Sequence, residues 1–382
     1  MIPYARQDIQ QVDIDAVIDV LKSDFLTQGP TIEKFEAVLG QYINAKYNFA
    51  VCNATSALHI ACLALGLKKD DLVWASPITF VASTNCALYC GAKVDFVDID
   101  PGTWNISPNQ LEIKIAAAKK NNLLPKILIV THFGGESCDM AAIKAIVNQY
   151  DIKIIEDASH AIGGSYKNLQ IGCCAYSDIT VFSFHPVKII TTGEGGALST
   201  NNESLAKAIR LLRSHGITRN TAEMTHPPQG DWYYEQVSLG YNYRMTDIQA
   251  ALGLSQLSRI DDYIDKRHTI ADRYHRLLDG LPIETQKLDP HSRSALHLFP
   301  IKVPDGKRLK IFNDLRKNDI YVNVHYIPVH LQPFYQGLGF KSGQFPASEN
   351  YYSNAISLPM YANLSEQDQI LVCEKLKTSL AE

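Results

Sequence analysis

The strongest constraint on this chain is the regular exchange of short apolar runs with helical patterns across its first two thirds. Residues 48–52, 72–75, 93–98, 126–132, 153–156, 179–184 and 196–199 read as strands, and helices are predicted over 56–67, 80–89 and 141–149. The runs are nearly continuous in Val, Ile, Leu and Phe instead of alternating with polar residues, so each strand must be covered on both faces. Strands of that kind alternating with helices predict βαβ units, hence an α/β fold with a large, mostly parallel sheet and helices on both sides.

A different pattern follows. From Asp247 to Leu278, Ile248, Leu252, Leu254, Leu257, Ile260 and Ile264 recur at helical spacing and predict one long helix leaving the sheet. Beyond it come a strand (296–303), a helix (309–318), a strand (321–326) and a terminal helix (366–378), with loops at 289–294 and 340–346. This is the outline of a smaller α+β unit. A chain of 382 residues exceeds an ordinary single core. The expected division is a large domain over 1–255, including the N-terminal segment, and a small C-terminal domain over 256–382.

Composition narrows the partners. The net charge is -4, so no basic excess argues for nucleic acid or an anionic membrane, and any anionic ligand must be held by local features. The N-terminus lacks a basic stretch followed by an apolar core, and no run of about 18 apolar residues occurs, so neither a secretory signal nor a membrane span is expected. The eight cysteines form no CxxC pair and sit mostly in apolar segments. They read as reduced packing residues of a cytoplasmic protein, and no metal site is expected.

Three segments carry chemistry. Asn53-Ala-Thr-Ser-Ala-Leu-His59 follows a strand and opens a helix, where unpaired N–H groups and the positive dipole end suit a phosphate; Thr55 and Ser56 add hydroxyls. The same residue types are also ordinary helix caps. Ile154-Ile-Glu-Asp-Ala-Ser-His160 ends an apolar strand in an acidic pair, where ligands bind in open α/β sheets. Asp157 there can partner a protonated ring nitrogen, or simply cap a strand end. Ile179-Thr-Val-Phe-Ser-Phe-His-Pro-Val-Lys188 places a lysine just beyond a strand and before Gly193-Glu-Gly-Gly196. In a drier site such a lysine loses its proton and becomes an amine nucleophile, whereas most lysines are surface solvation. Ser183 alternates with Phe182 and Phe184, which aims its hydroxyl to the other face. A phosphate-type helix start, an acid and a lysine thus stand in that order, each at the end of its own strand.

That layout, with Tyr241-Asn-Tyr-Arg-Met-Thr-Asp247, Asp24-Phe-Leu-Thr-Gln-Gly-Pro30 and His325-Tyr-Ile-Pro-Val-His330, resembles the DegT-type nucleotide-sugar aminotransferases over nearly the whole chain. The resemblance implies a fold type I enzyme dependent on pyridoxal 5'-phosphate (PLP). Lys188 would carry the cofactor as a Schiff base and then shuttle protons, and Asp157 would pair with the pyridine nitrogen. His160, where many relatives have Gln, would lie near the ring's phenolic oxygen. Thr55, Ser56 and Ser183 would hold the phosphate, and Phe80 would stack on the ring, although a core aromatic is the plain alternative. Asn242 would reach the cofactor of a neighbouring subunit, which implies a homodimer with shared sites. Tyr4, Thr27, Gln28, Arg244, His325, Tyr326 and His330 match segments that border the sugar nucleotide in relatives; structural roles suit His325 and His330 equally well.

Relatives that dehydrate sugars replace the lysine with histidine, and this chain keeps Lys188. Phe184-His-Pro-Val-Lys188, Ser76-Pro-Ile-Thr-Phe-Val-Ala82 and Phe25-Leu-Thr-Gln-Gly29 most resemble enzymes of pseudaminic acid synthesis. The expected reaction moves an amino group from L-glutamate to C4 of a UDP-linked 4-keto-6-deoxy-N-acetylhexosamine. Alternatives are the same reaction on a UDP-4-keto-pentose or a dTDP- or GDP-linked 4-keto-6-deoxyhexose, and a non-catalytic PLP-binding or regulatory protein. No GxGxxG follows a strand, which weighs against a dinucleotide-binding protein.

Overall fold

The computed structural model describes residues 1–121 and 123–381. Seven strands form the large sheet: β1 (Tyr47–Val51), β2 (Leu72–Ala75), β3 (Lys93–Phe96), β4 (Ile127–Thr131), β5 (Lys153–Asp157), β6 (Ile179–Ser183) and β7 (Gly196–Thr200). Their order is β1-β7-β6-β5-β4-β2-β3. Pairs from β6 through β5, β4 and β2 to β3 are parallel, while β7 runs antiparallel to both β6 and β1.

Both faces of the sheet are buried, as continuous apolar strands require. Ile127, Ile129 and Ile155 pack into one core with α3 (Ala54–Ala64), α4 (Ala82–Tyr89) and α7 (Glu203–Arg213). Their neighbours Leu128, Val130 and Ile154 face the other way, into a core shared with α5 (Pro108–Lys120) and α6 (Met140–Val147). Two N-terminal helices, α1 (Gln11–Leu21) and α2 (Pro30–Ile43), dock on α8 (Asp247–Leu257). Each is held by a buried carboxylate. Asp13 accepts two bonds from Arg259 (2.8 and 2.7 Å), and Asp247 accepts the Gly29 and Thr31 N–H groups at the start of α2 (2.8 and 2.9 Å).

The long helix expected over 247–278 is two helices. α8 ends at Leu257 and α9 (Ile260–Leu278) begins after Arg259, whose backbone (φ -115°, ψ 9°) leaves helical geometry as its guanidinium turns to Asp13. α9 then packs with strand β9 (Phe299–Lys302), which joins β8 (Glu284–Thr285) and β10 (Ala355–Leu358) in an antiparallel sheet, and with α10 (Arg308–Lys317) and the terminal helix (Glu366–Ala381). Residues 321–326 are not a strand. Asn323 makes one isolated bridge to Ser357, and the segment otherwise turns toward the large sheet. Among the described residues no helix is long and apolar enough to cross a membrane, and all eight cysteines are free.

The segment before β9 is laid onto the loop after β4. Asp289 N–H and Ser292 Oγ donate to Glu136, Ala295 N–H to the Gly135 carbonyl and Leu298 N–H to that of Gly134. Gly135 makes the approach possible. Its φ is +101°, and a Cβ there would lie 2.7 Å from Leu296 N and 2.9 Å from His160 O and His297 N. All three are backbone atoms that have no side-chain freedom to give way. Gly135→Ala should therefore lower the unfolding free energy by about 2–3 kcal/mol in urea titration. A change within about 0.5 kcal/mol, as for an ordinary surface substitution, would contradict this docking.

Candidate active site

Strand register brings the chemical residues to one edge. Thr131 pairs with Asp157, Asp157 with Val181, and Gly196 with both Ser183 and Val51. The carboxyl ends of β1, β2, β4, β5 and β6 therefore open on the same rim, where an α/β sheet binds ligands. A cavity of about 600 Å³ lies there. Its walls include Asn53, Ala54 and Thr55 after β1, Thr79 and Phe80 after β2, Thr131, Asp157, Ser159 and His160, and Ser183, His185, Val187 and Lys188. Segments beyond α9 close it with His297, Asn323, His325 and Tyr326, and Tyr4 arrives from the N-terminal segment.

At the end of β1, the Asn53 side chain caps α3 by accepting the Ser56 N–H (2.8 Å). The first-turn N–H groups of Ala54 and Thr55 precede any helical acceptor, and both residues line the cavity together with Ser183. Gly196 lets this helix start sit on β7, since a Cβ there would lie 2.7 Å from Ala54 N. Ser56 departs from the expected set. It is outside the cavity, with its backbone N–H used by the cap and its hydroxyl 3.3 Å from the Cys52 thiol.

Asp157 is buried, and both its oxygens are engaged, Oδ1 by Ser159 N–H (3.1 Å) and Oδ2 by Ser83 O–H (2.5 Å). Lys188 lies five residues beyond β6. Its side chain touches cavity solvent but is otherwise enclosed, and this burial pushes its pKa down to about 8, partly opposed by the attraction of Asp157. An amine of lowered pKa and a carboxylate thus share one cleft.

The wall facing them consists of uncharged imidazoles. His160 Nδ1 accepts the Gly134 N–H (3.3 Å), so its proton is on Nε2, which lies 3.0 Å from the Tyr326 hydroxyl. Burial, then the charges of Lys188 and His325, hold His160 well below its ordinary pKa. His325 is pushed down to about 3 by burial and by Lys188, and its Nδ1 lies 2.8 Å from Ser357 Oγ. His297 is also held well below the usual range, by burial first, and its ring centroid is 4.5 Å from that of His160. Tyr326 is raised by burial and keeps its proton; because it accepts from His160, its own O–H is free to donate into the cavity. Phe80, 58% exposed, stands at the mouth with its ring 6.3 Å from that of Tyr326.

Of the residues singled out in the sequence, Tyr4, Thr55, Phe80, Asp157, His160, Ser183, Lys188, His325 and Tyr326 line the cavity. His330 does not. It is fully buried between Phe96 and Phe345, with Nε2 3.0 Å from Glu349, and reads as a packing histidine. Thr27, Gln28, Asn242 and Arg244 also lie outside it. Thr27 bridges Thr246, Asn242 bridges Ser214, and the Arg244 guanidinium donates to Ser214 Oγ (2.9 Å) while its buried Nε has no partner. Sequence reading missed His297, Asn323, Ser83 and the pair Thr79 and Thr131. His297 sat inside a run read only as a strand, and the hydroxyls are legible only once the strand ends are side by side.

The donor set fits PLP: a helix start with two hydroxyls for a phosphate, a carboxylate for a ring nitrogen, an amine of lowered pKa for the aldehyde carbon, and an aromatic ring at the mouth. The comparisons agree. The model of the DegT/DnrJ/EryC1/StrS aminotransferase family matches residues 7–377. The UDP-4-amino-4,6-dideoxy-N-acetyl-beta-L-altrosamine transaminase of Campylobacter jejuni strain 81-176 is 38% identical over 98% of this chain and 96% of its own length. The Bacillus subtilis spore coat polysaccharide biosynthesis protein SpsC is also 38% identical, over the same shares. Among solved structures, Helicobacter pylori PseC, an aminotransferase of pseudaminic acid biosynthesis, superposes with a TM-score of 0.90 at 30% identity, covering 100% of this chain and 99% of its own. The Streptococcus pneumoniae protein Spr1654 in its PMP form gives 0.91 at 29% identity, over the same shares. The chain belongs to the DegT/DnrJ/EryC1/StrS aminotransferase family.

Lys188 gives a pH prediction. A lysine whose pKa is lowered is protonated below that value and nucleophilic above it. The rate at which cofactor-free protein captures PLP, followed by visible absorbance, should rise with pH and level off above about 8. A rate still climbing to the ordinary lysine value of 10.5 would show that burial does not set this amine.

Proposed function

We propose that this chain, a PLP-dependent sugar aminotransferase, transfers an amino group from L-glutamate to C4 of a UDP-linked 4-keto-6-deoxy-N-acetylhexosamine, forming UDP-4-amino-4,6-dideoxy-N-acetyl-β-L-altrosamine. The observation that carries the substrate reading is the full-length similarity to transaminases bearing that product's name. A second reading, the same transfer on another 4-keto nucleotide sugar, is favoured by the equal similarity to SpsC.

When bound, PLP supplies an electron sink for the carbanion formed as the amine donor loses its α-proton. The chain's residues do the rest. Thr55, Ser183 and the Ala54 and Thr55 N–H groups bind the phosphate and fix the ring's tether. Asp157 Oδ atoms hold the proton on the ring nitrogen. Lys188 Nζ, neutral above about pH 8, takes the donor's α-proton and later returns a proton to the sugar carbon. His160 Nε2–H donates a hydrogen bond to the Tyr326 oxygen, which turns the phenol O–H to the acceptor's oxygen, and His325 and Tyr4 border the sugar. Holding the 4-keto carbon near Lys188 supplies proximity.

No arginine lines the cavity among the described residues, so one chain alone offers no guanidinium to carboxylates or a diphosphate. This supports a homodimer in which Thr27, Gln28, Asn242 and Arg244 reach the neighbouring copy's cavity. The exposed apolar side chains Phe25, Leu26 and Leu239, on the segments that carry or adjoin them, suit a covered face. The free cysteines suit a reducing cytoplasm.

The substrate reading is tested by single-turnover reaction of the pyridoxamine form with a panel of 4-keto sugars. The UDP-linked N-acetylated 6-deoxyhexose should react at least about tenfold faster than its dTDP and GDP counterparts, a difference of about 1.4 kcal/mol in the transition state. Equal rates on UDP and dTDP substrates would overturn it.

A further inference from the structure

The Asp157 carboxylate is held by more than its own strand. Ser83, in the first turn of α4, donates its hydroxyl proton to Asp157 Oδ2 at 2.5 Å. A hydroxyl has one proton, so Ser83 can only accept from its other neighbour, Thr79 Oγ1, 2.7 Å away. Thr79 has then spent its own proton and can only accept from Thr131 Oγ1, at 3.0 Å. The three hydroxyls are polarised in one direction, Thr131 to Thr79 to Ser83 to Asp157. All three are at most 4% exposed, so bulk water does not compete for these bonds. In such a setting each bond strengthens the next. The chain of bonds also spans three elements: it starts at the last residue of β4, crosses the turn after β2 and ends in α4. Thr131 is the strand partner of Asp157, so the relay closes a loop around the carboxylate.

We propose that Thr131, Thr79 and Ser83 are positioning residues that aim the Asp157 carboxylate at the cofactor's ring nitrogen and set how firmly that nitrogen keeps its proton. With Oδ1 held by Ser159 N–H and Oδ2 by Ser83, rotation of the carboxylate is restrained at both oxygens, and the residue lines the cavity. Thr79 and Thr131 also line the cavity, so the relay runs along its floor. The proposal rests on the reading of Asp157 as the ring partner, and the test separates the two.

The experiment uses PLP-loaded full-length protein as wild type, Ser83→Ala, Thr79→Val, Asp157→Asn and Ser83→Ala/Asp157→Asn. Two quantities are read: the pH midpoint of the visible band of the bound cofactor, and the single-turnover rate with glutamate. Thermal melting of each cofactor-free protein checks the fold. Ser83→Ala should shift the midpoint and slow the single turnover at least about tenfold, the loss expected for one charge-assisted hydrogen bond. Thr79→Val, one bond further out, should do the same to a smaller degree. In the Asp157→Asn background, Ser83→Ala should add no further shift and no further slowing, because its effect passes through the carboxylate. Additive losses, or a loss tracking only a fall in melting temperature, would reduce Ser83 to packing and overturn the relay. If Asp157→Asn shifts the midpoint and Ser83→Ala does not, the relay alone fails. If Asp157→Asn leaves the midpoint unmoved, the reading of Asp157 falls and takes the relay with it.

Discussion

Parallel pairing of β6, β5, β4 and β2 is the constraint on which the rest of the molecule depends. Because these strands point the same way, whatever follows each of them is delivered to one edge. The site needs groups separated by more than a hundred residues, from Thr55 to Lys188, and the register places them within one cavity. Antiparallel β7 serves the same end in reverse. It begins at the rim, and its Gly196 is the surface on which both Ser183 and the start of α3 rest.

Electrostatics in this cavity are set by what has been left uncharged. Burial lowers the Lys188 pKa and holds His160, His297 and His325 as neutral imidazoles, so the lysine faces a wall without positive charge on these rings. His160 shows how tautomer becomes geometry. A backbone N–H occupies Nδ1, which commits Nε2–H to Tyr326 and turns the phenol outward. The same logic operates beneath Asp157, where a single proton per hydroxyl fixes the direction of a row of bonds. Gly134 supplies the N–H that His160 accepts, and the carbonyls of Gly134 and Gly135 hold the segment that carries His297.

Much of this was legible in the sequence for a physical reason. Strands buried on both faces must be continuously apolar, which made the central strands β2, β4, β5 and β6 readable, along with the residues at their ends. The break between α8 and α9 was not, because apolar spacing continues across Ser258 and Arg259 and only the distant Asp13 explains the turn. Residues 321–326 alternate like a strand but are drawn to the cavity by His325 and Tyr326 instead of pairing. Ser56 and His330 stand beside the cavity lining rather than in it, Ser56 with its N–H on the Asn53 cap and His330 paired with Glu349. His297 and the hydroxyls of Thr79, Ser83 and Thr131 had no local signal, since their meaning comes from neighbours distant in sequence.

Lys188 is the residue proposed to carry the cofactor. Borohydride reduction of the PLP-loaded protein, followed by digestion and mass spectrometry, tests this directly. The pyridoxyl group should be found on the peptide that contains Lys188; its recovery on any other lysine, or on none, would contradict the assignment.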